Sequence, residues 1–202
     1  MSGVSEADRV RWDGKYAGRS AGLPQLPDVF APYVSEIPRS GEALDLACGF
    51  GAASVWLAEH GLTVWGVDVS ATAIEQARDL AARHAVAGRC RFSVADLDDG
   101  LPQGPPAAMI LCHRFRDPGV YPAIIDRLAA DGVLAISVLS EVGSEPGPFR
   151  AGAGELADAF AGLQTLAAGE GDGQAWLVAR RKLTQLDHSG RRAFVELDDV
   201  GA

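Results

Sequence analysis

From Ala43 to Leu139 the chain alternates between short, nearly continuous apolar runs and longer segments in which apolar residues recur every three or four positions. The first pattern predicts buried strands and the second predicts amphipathic helices. Strands are expected at Ala43 to Ala47, Leu62 to Asp68, Cys90 to Asp96, Ala107 to Cys112 and Val133 to Leu139. Between them, "AASVWLAEH" predicts a helix stopped by Gly61. "SATAIEQARDLAARHAVAG" predicts another, capped by Ser70, ended by Gly88, and buried along Ile74, Ala77, Ala81 and Ala85. "DPGVYPAIIDRLAADG" shows the same period, with Ile124, Ile125 and Leu128 inward.

The flanks are less regular. Ser5 to Ala17 predicts a short helix anchored by Val10 and Trp12, followed by the connector "GRSAGLPQLP" and a second helix from Asp28 to about Ile37. Downstream, "GAGELADAFAG" predicts a helix, and "LQTLAAGEG" with "GQAWLVARRK" an antiparallel hairpin; "AFVEL" near the end is either an edge strand or disordered. The alternation predicts an α/β fold: a doubly wound, mostly parallel seven-stranded sheet with helices on both faces and a C-terminal antiparallel hairpin. Right-handed crossovers then gather the loops after the strands at one edge, where ligands bind in such sheets.

Composition narrows the function classes. A chain of 202 residues, 48% hydrophobic, has the apolar material for one core. Its formal net charge is −9 and it carries no basic run longer than a pair, so the average surface repels a phosphate backbone and nucleic acid is not the expected partner. No apolar stretch approaches membrane-spanning length and the charged start lacks a signal-peptide core, so a cytoplasmic protein without a membrane partner is expected, as a monomer or homodimer. Cys48, Cys90 and Cys112 are odd in number and widely spaced, which predicts reduced core thiols and no metal site.

Four polar features stand at the ends of successive predicted strands. "CGFG" follows the first, Asp68 ends the second, Asp96 ends the third and His113 follows the fourth. Gly49 and Gly51 allow a tight turn and a close ligand approach. Asp68 is placed to accept the hydroxyl protons of a ribose, or alternatively to cap the helix that follows. These features alone also fit a dinucleotide and hence an NAD-dependent oxidoreductase, although G-x-G-x-x-S, with Ser54 third, matches that fingerprint poorly. Asp45 inside the first strand is an acid that needs a cation or backbone donors, and Asp96 sits where an adenine amine would lie.

Together "DLACGFG", "GVDVS" and "VADLDDGLP" resemble the three motifs of the class I S-adenosylmethionine-dependent methyltransferases, with Ala47 where the family places its first glycine. The segment "WDGKY" is similar to the start of small bacterial tellurite-resistance and thiopurine methyltransferases. The resemblance implies a Rossmann-like domain over residues 41–182 preceded by a helical lid over 1–40 and followed by a tail over 183–202. It implies S-adenosylmethionine as cofactor and a small-molecule methyl acceptor, with a non-catalytic S-adenosylmethionine-binding protein as a further alternative. Residue by residue, Ala47, Cys48, Gly49 and Gly51 would line the methionine part, Asp68 the ribose, Val69 the adenine face, and Asp96 with Leu97 the adenine edge. Asp45 would organise the loop or meet the amino group, and Trp12, Lys15 and Tyr16 would fold over as the lid. His113 is the candidate catalytic residue, acting as a base, as a group that orients the acceptor, or as a bond to the cofactor loop. Arg114 and Arg116 either bind an acidic substrate or pair with Asp117 or Glu141, and Glu141 is a further candidate for substrate contact. His60, His84 and His188 are expected to be structural or solvated, and Trp56 and Trp65 to serve packing.

Overall fold

The computed structural model describes residues 3–16 and 18–182; His188 and the segment "AFVEL" lie outside the described residues. One sheet of seven strands runs in the order β3-β2-β1-β4-β5-β7-β6. The strands β1 (Glu42–Leu46), β2 (Thr63–Asp68), β3 (Cys90–Val94), β4 (Ala107–His113) and β5 (Leu128–Leu139) pair in parallel. β6 (Gln164–Gly171) and β7 (Gln174–Arg180) form the expected hairpin, antiparallel to each other and to β5. The direction of winding reverses between β1 and β4, which opens a crevice at the C-terminal ends of those two strands.

Side-chain alternation assigns each strand residue to a face. Leu44 and Leu46 of β1, with Ile110, Leu134 and Ile136, pack under Tyr121 and Ile124 of α4 (Tyr121–Arg127) and Leu156 of α5 (Glu155–Ala159). Ala43, Met109, Leu111, Val133 and Ala135 face the other way, against Leu57 and Ala58 of α2 (Ala52–Glu59) and Phe30. On that same side Ile74, Ala77, Leu80 and Ala81 of α3 (Ala71–Arg83) pack on Val55 and Phe92. Helices therefore cover both faces, as the alternation predicts. The N-terminal helix α1 (Gly3–Tyr16) lies over the strand ends and contacts α3.

Several boundaries differ from expectation, each for a local reason. Asp28–Glu36 is a 3₁₀ helix with non-helical backbone at Tyr33, because Pro32 inside it removes a donor. The helix expected to run to Gly132 ends at Arg127: β5 begins at Leu128, and Asp131 adopts φ +63°. In α3 the buried stripe is completed by Leu80, while Ala85 is exposed beyond the helix end with φ +58°. Val10 is 64% exposed and anchors nothing in the core. The three thiols are free; Cys112 is buried, while Cys48 and Cys90 are half-buried. No helix among the described residues is long and apolar enough to cross a membrane, and no group of three metal-ligating side chains lies among them.

Candidate active site

The crevice contains a cavity of about 550 Å³, within the usual range for small-molecule sites. One wall is built from the ends of β1, β2 and β3. Asp45 points to the α2 side of the sheet, where Ser54 in the first turns of α2 donates to its Oδ2 at 2.5 Å. It is buried, and loss of solvent pushes its carboxyl up to about 7 despite the Ser54 hydrogen bond that opposes the shift. Ala47, next in the loop, holds φ +53°, a conformation that a glycine would adopt without strain.

Asp68 closes β2. Its Oδ2 accepts from the Gly49 N–H at 2.8 Å and its Oδ1 from the Ser70 N–H at 2.9 Å, so the carboxylate ties the turn after β1 to the start of α3. Burial raises its pKa above the ordinary carboxylate value, while those two backbone donors work against the shift. Asp68 and the Ser70 cap therefore have separate jobs, since it is the Ser70 hydroxyl that accepts from the Ala73 N–H to cap α3. Asp96 opens the 3₁₀ turn Leu97–Asp99, accepting from the Asp98 N–H, and lines the cavity with Leu97 and Val69.

The two glycines do different work. Gly49 lines the cavity with φ +52°, and a Cβ there would stand 3.2 Å from the Tyr16 hydroxyl. Gly51 is not among the cavity-lining residues. Its φ is +74°, and a Cβ there would come within 2.7 Å of the Ala77 Cβ, so this glycine lets α2 and α3 pack together.

The N-terminal helix sits over this wall. Trp12, Lys15 and Tyr16 of α1 line the cavity, and Asp13 accepts from the Ser70 hydroxyl. Tyr16 meets Phe50 edge-on with centroids 4.7 Å apart, and Lys15 Nζ lies 4.3 Å from the Trp12 ring centre. The connector contributes Arg19, Gly22, Gln25 and Pro27, held by a hydrogen bond from the Gln25 N–H to the Ala52 carbonyl. No apolar period marks those connector residues, and only their Gly and Pro content hinted at a non-helical path.

The opposite wall comes from the end of β4. His113, Arg114 and Phe115 line it. His113 shares a face with Met109 and Leu111, and its register partner on β5 is Ser137, whose hydroxyl lies 2.6 Å from His113 Nδ1. Burial, reinforced by the Arg114 charge, lowers the imidazole pKa to about 4, so the ring is neutral near pH 7. Arg114 holds φ +60° and its N–H donates to the Ser137 carbonyl. Arg116 pairs neither with Asp117 nor with Glu141: it makes two hydrogen bonds to Glu155, at 2.8 and 2.6 Å, which also receives the Tyr121 hydroxyl. Glu141 is exposed and does not line the cavity. His60 stacks on Trp56, and His84 pairs with Glu59, both away from the site.

Besides the connector residues and Phe115, two hydroxyls that support the cavity walls, Ser54 and Ser137, were assigned no site role from the sequence. Each is a lone hydroxyl in an otherwise apolar stretch of helix or strand, and that interruption is the signal that marks it.

A family model described as "Methyltransferase domain" matches residues 43–130. Ribosomal RNA small subunit methyltransferase C of Alcanivorax borkumensis is 47% identical over 51 residues, which is 25% of this chain and 16% of that protein's length. Among solved structures, TehB from Haemophilus influenzae superposes with a TM-score of 0.69 at 17% identity, covering 85% of this chain and 66% of that one. The DhpI–SAH complex superposes with a TM-score of 0.64 at 20% identity, covering 90% of this chain and 98% of that one. Residues 43–130 thus match a methyltransferase domain, in a chain that shares the fold of TehB and DhpI.

Proposed function

We propose that the protein is an S-adenosylmethionine-dependent methyltransferase acting on a small-molecule acceptor. The observation that carries this reading is the carboxylate of Asp68, clamped at the end of β2 by the Gly49 and Ser70 N–H groups, with Asp45 and Asp96 on the same wall. Three carboxylates beside a glycine turn suit a ligand that offers ribose hydroxyls, an ammonium group and a sulfonium. They suit a dinucleotide less well, because its diphosphate would lie over the Gly49 turn, beside the buried acid Asp45. The solved complex of DhpI with S-adenosylhomocysteine, on the same fold, supports the same choice.

When bound, the sulfonium supplies an electrophilic methyl group. Asp68 would accept from the ribose hydroxyls, Val69 and Leu97 would hold the adenine faces, and Asp96 would accept from its amine. Ala47, Cys48 and Gly49 would line the methionine part, and Asp45 would answer its ammonium charge. Trp12 and Tyr16 would cover the donor and exclude water, while His113 and Arg114 would position the acceptor for in-line attack. The covered cavity and the net charge of −9 favour a small acceptor over nucleic acid.

Calorimetry with S-adenosylhomocysteine and NADH tests the reading. Micromolar binding of the thioether, with no competition by NADH, is the expected result; preferential NADH binding favours an oxidoreductase. Thioether binding without transfer of labelled methyl to a panel of thiols, amines, phenols and acids in cell extract favours a non-catalytic binding protein.

A further inference from the structure

His113, Ser137 and Trp176 form a row across β4, β5 and β7 on one face of the sheet. The 3₁₀ segment seals this row from above: Phe30 meets the imidazole edge-on at 6.2 Å, and Tyr33 meets Trp176 at 5.2 Å. Ser137 is fully buried, and among the described residues its hydroxyl has no partner other than His113 Nδ1. A buried hydroxyl proton without an acceptor is costly, so the favourable arrangement has Ser137 donating to Nδ1. Nδ1 is then the unprotonated nitrogen and Nε2 carries the hydrogen. The nitrogen left to meet a ligand is a donor, with no lone pair to take up a proton.

Arg114 extends the same character. It lines the cavity beside His113, is exposed, and has no carboxylate partner among the described residues. Lys15 and Arg19 are the other cations on the cavity wall. The acid whose charge reaches the imidazole is Asp28, at the start of the 3₁₀ segment, and its influence is smaller than that of Arg114.

We propose that Ser137 fixes His113 as a hydrogen-bond donor, and that His113 Nε2–H and Arg114 together seat an acceptor whose nucleophilic oxygen is already anionic, of the carboxylate or inorganic oxyanion class. This rests on the methyltransferase reading for its reaction, though the tautomer assignment does not. In the transfer, an oxygen lone pair forms the bond to the methyl carbon while the carbon–sulfur pair returns to sulfur. The oxygen loses its negative charge, the sulfonium becomes a neutral thioether, and no proton has to be removed. His113 is in this account a positioning donor, and Ser137 acts through it.

The test is nitrogen NMR of the full chain labelled with ¹⁵N-histidine; there are four histidines, and His113→Gln assigns the signal. The wild-type ring is expected as the neutral Nε2–H tautomer from pH 6 to 8. The Nδ1–H tautomer, or an imidazolium at pH 7, overturns the proposal. In Ser137→Ala the preference for Nε2–H should weaken; an unchanged tautomer removes the role given to Ser137. With S-adenosylhomocysteine present, benzoate and sulfate are then titrated against neutral benzamide. A shift of the Nε2–H signal by either anion, at least tenfold weaker in Arg114→Gln, supports the anionic seat, and which anion acts tells carboxylate from inorganic oxyanion. Equal binding of benzamide, or anion binding indifferent to Arg114→Gln, overturns it. Should S-adenosylhomocysteine itself fail to bind, the methyltransferase reading falls while the tautomer result stands.

Discussion

The two walls of the cavity are built from opposite chemistry by opposite means. The wall at the ends of β1, β2 and β3 is acidic, and the carboxylates of Asp45 and Asp68 are positioned by hydrogen bonds inside one continuous stretch, Asp45 to Ser70: Ser54 on Asp45, and Gly49 and Ser70 on Asp68. The wall at the end of β4 presents an imidazole and a guanidinium, and its geometry depends on residues distant in the chain. Ser137 lies 24 residues from His113, and the 3₁₀ segment that covers both comes from the far N-terminal side. The first wall is closed within one stretch of chain, and the second is assembled from three: β4, β5 and the 3₁₀ segment.

The comparison can be broken first at the backbone. Gly51→Ala combines a left-handed φ with a Cβ 2.7 Å from Ala77, so it should cost about 2–4 kcal/mol and lower Tm by roughly 5–15 °C. A thermal melt checks this, and an unshifted Tm would show that the turn is not held as described. Next, Asp68→Ala should weaken S-adenosylhomocysteine binding by roughly 100-fold, since it removes a charged acceptor and frees two loop N–H groups. Arg114→Gln, on the opposite wall, should change that affinity by less than about twofold, because the donor does not depend on it. Equal losses in the two variants would erase the distinction between the walls.

A subtler effect is expected from pH. Asp45 titrates near 7 in the free protein, and its ordinary value is 3.8. A cationic ligand favours the ionised form, so S-adenosylmethionine affinity should rise as pH climbs through 7, with protons released on binding below that point. Calorimetry in two buffers of different ionisation enthalpy reads the release, and Asp45→Asn should abolish it. The same raised pKa has the opposite sign for folding: the native state holds this proton more tightly than the unfolded chain, so the contribution of Asp45 to stability is fully present below pH 4. It is lost as pH rises toward 7. The smallest effect belongs to Ala47→Gly. Relief of the left-handed alanine is partly offset by the extra freedom of an unfolded glycine, leaving a gain of about 0–1 kcal/mol, visible as a Tm rise of at most a few degrees.

The same contrast governs what the chain reveals before folding. Buried strands announce themselves as apolar runs, so five parallel strands, the hairpin and the acidic loop ends were all readable, including the inward acid Asp45. The 3₁₀ character of Asp28–Glu36 was not, because its apolar spacing imitates an α-helix and only Pro32 argues otherwise. Nor was the early start of β5 at Leu128, which depends on pairing with Ala107 rather than on local propensity. Arg116 found its acid at Glu155, 39 residues away, where proximity in sequence pointed to Asp117. The donor role argued for His113 depends on a hydroxyl across the sheet, and no local pattern around "LCHRFRDP" carries it.

The division between the walls is tested most directly by a crystal structure of the protein with S-adenosylhomocysteine. The account predicts both ribose hydroxyls within hydrogen-bond distance of Asp68, the adenine amine at Asp96, and the sulfur turned toward the side of the cavity occupied by His113 and Arg114. A ligand with its ribose away from Asp68, or with its sulfur facing away from His113 and Arg114, would contradict it.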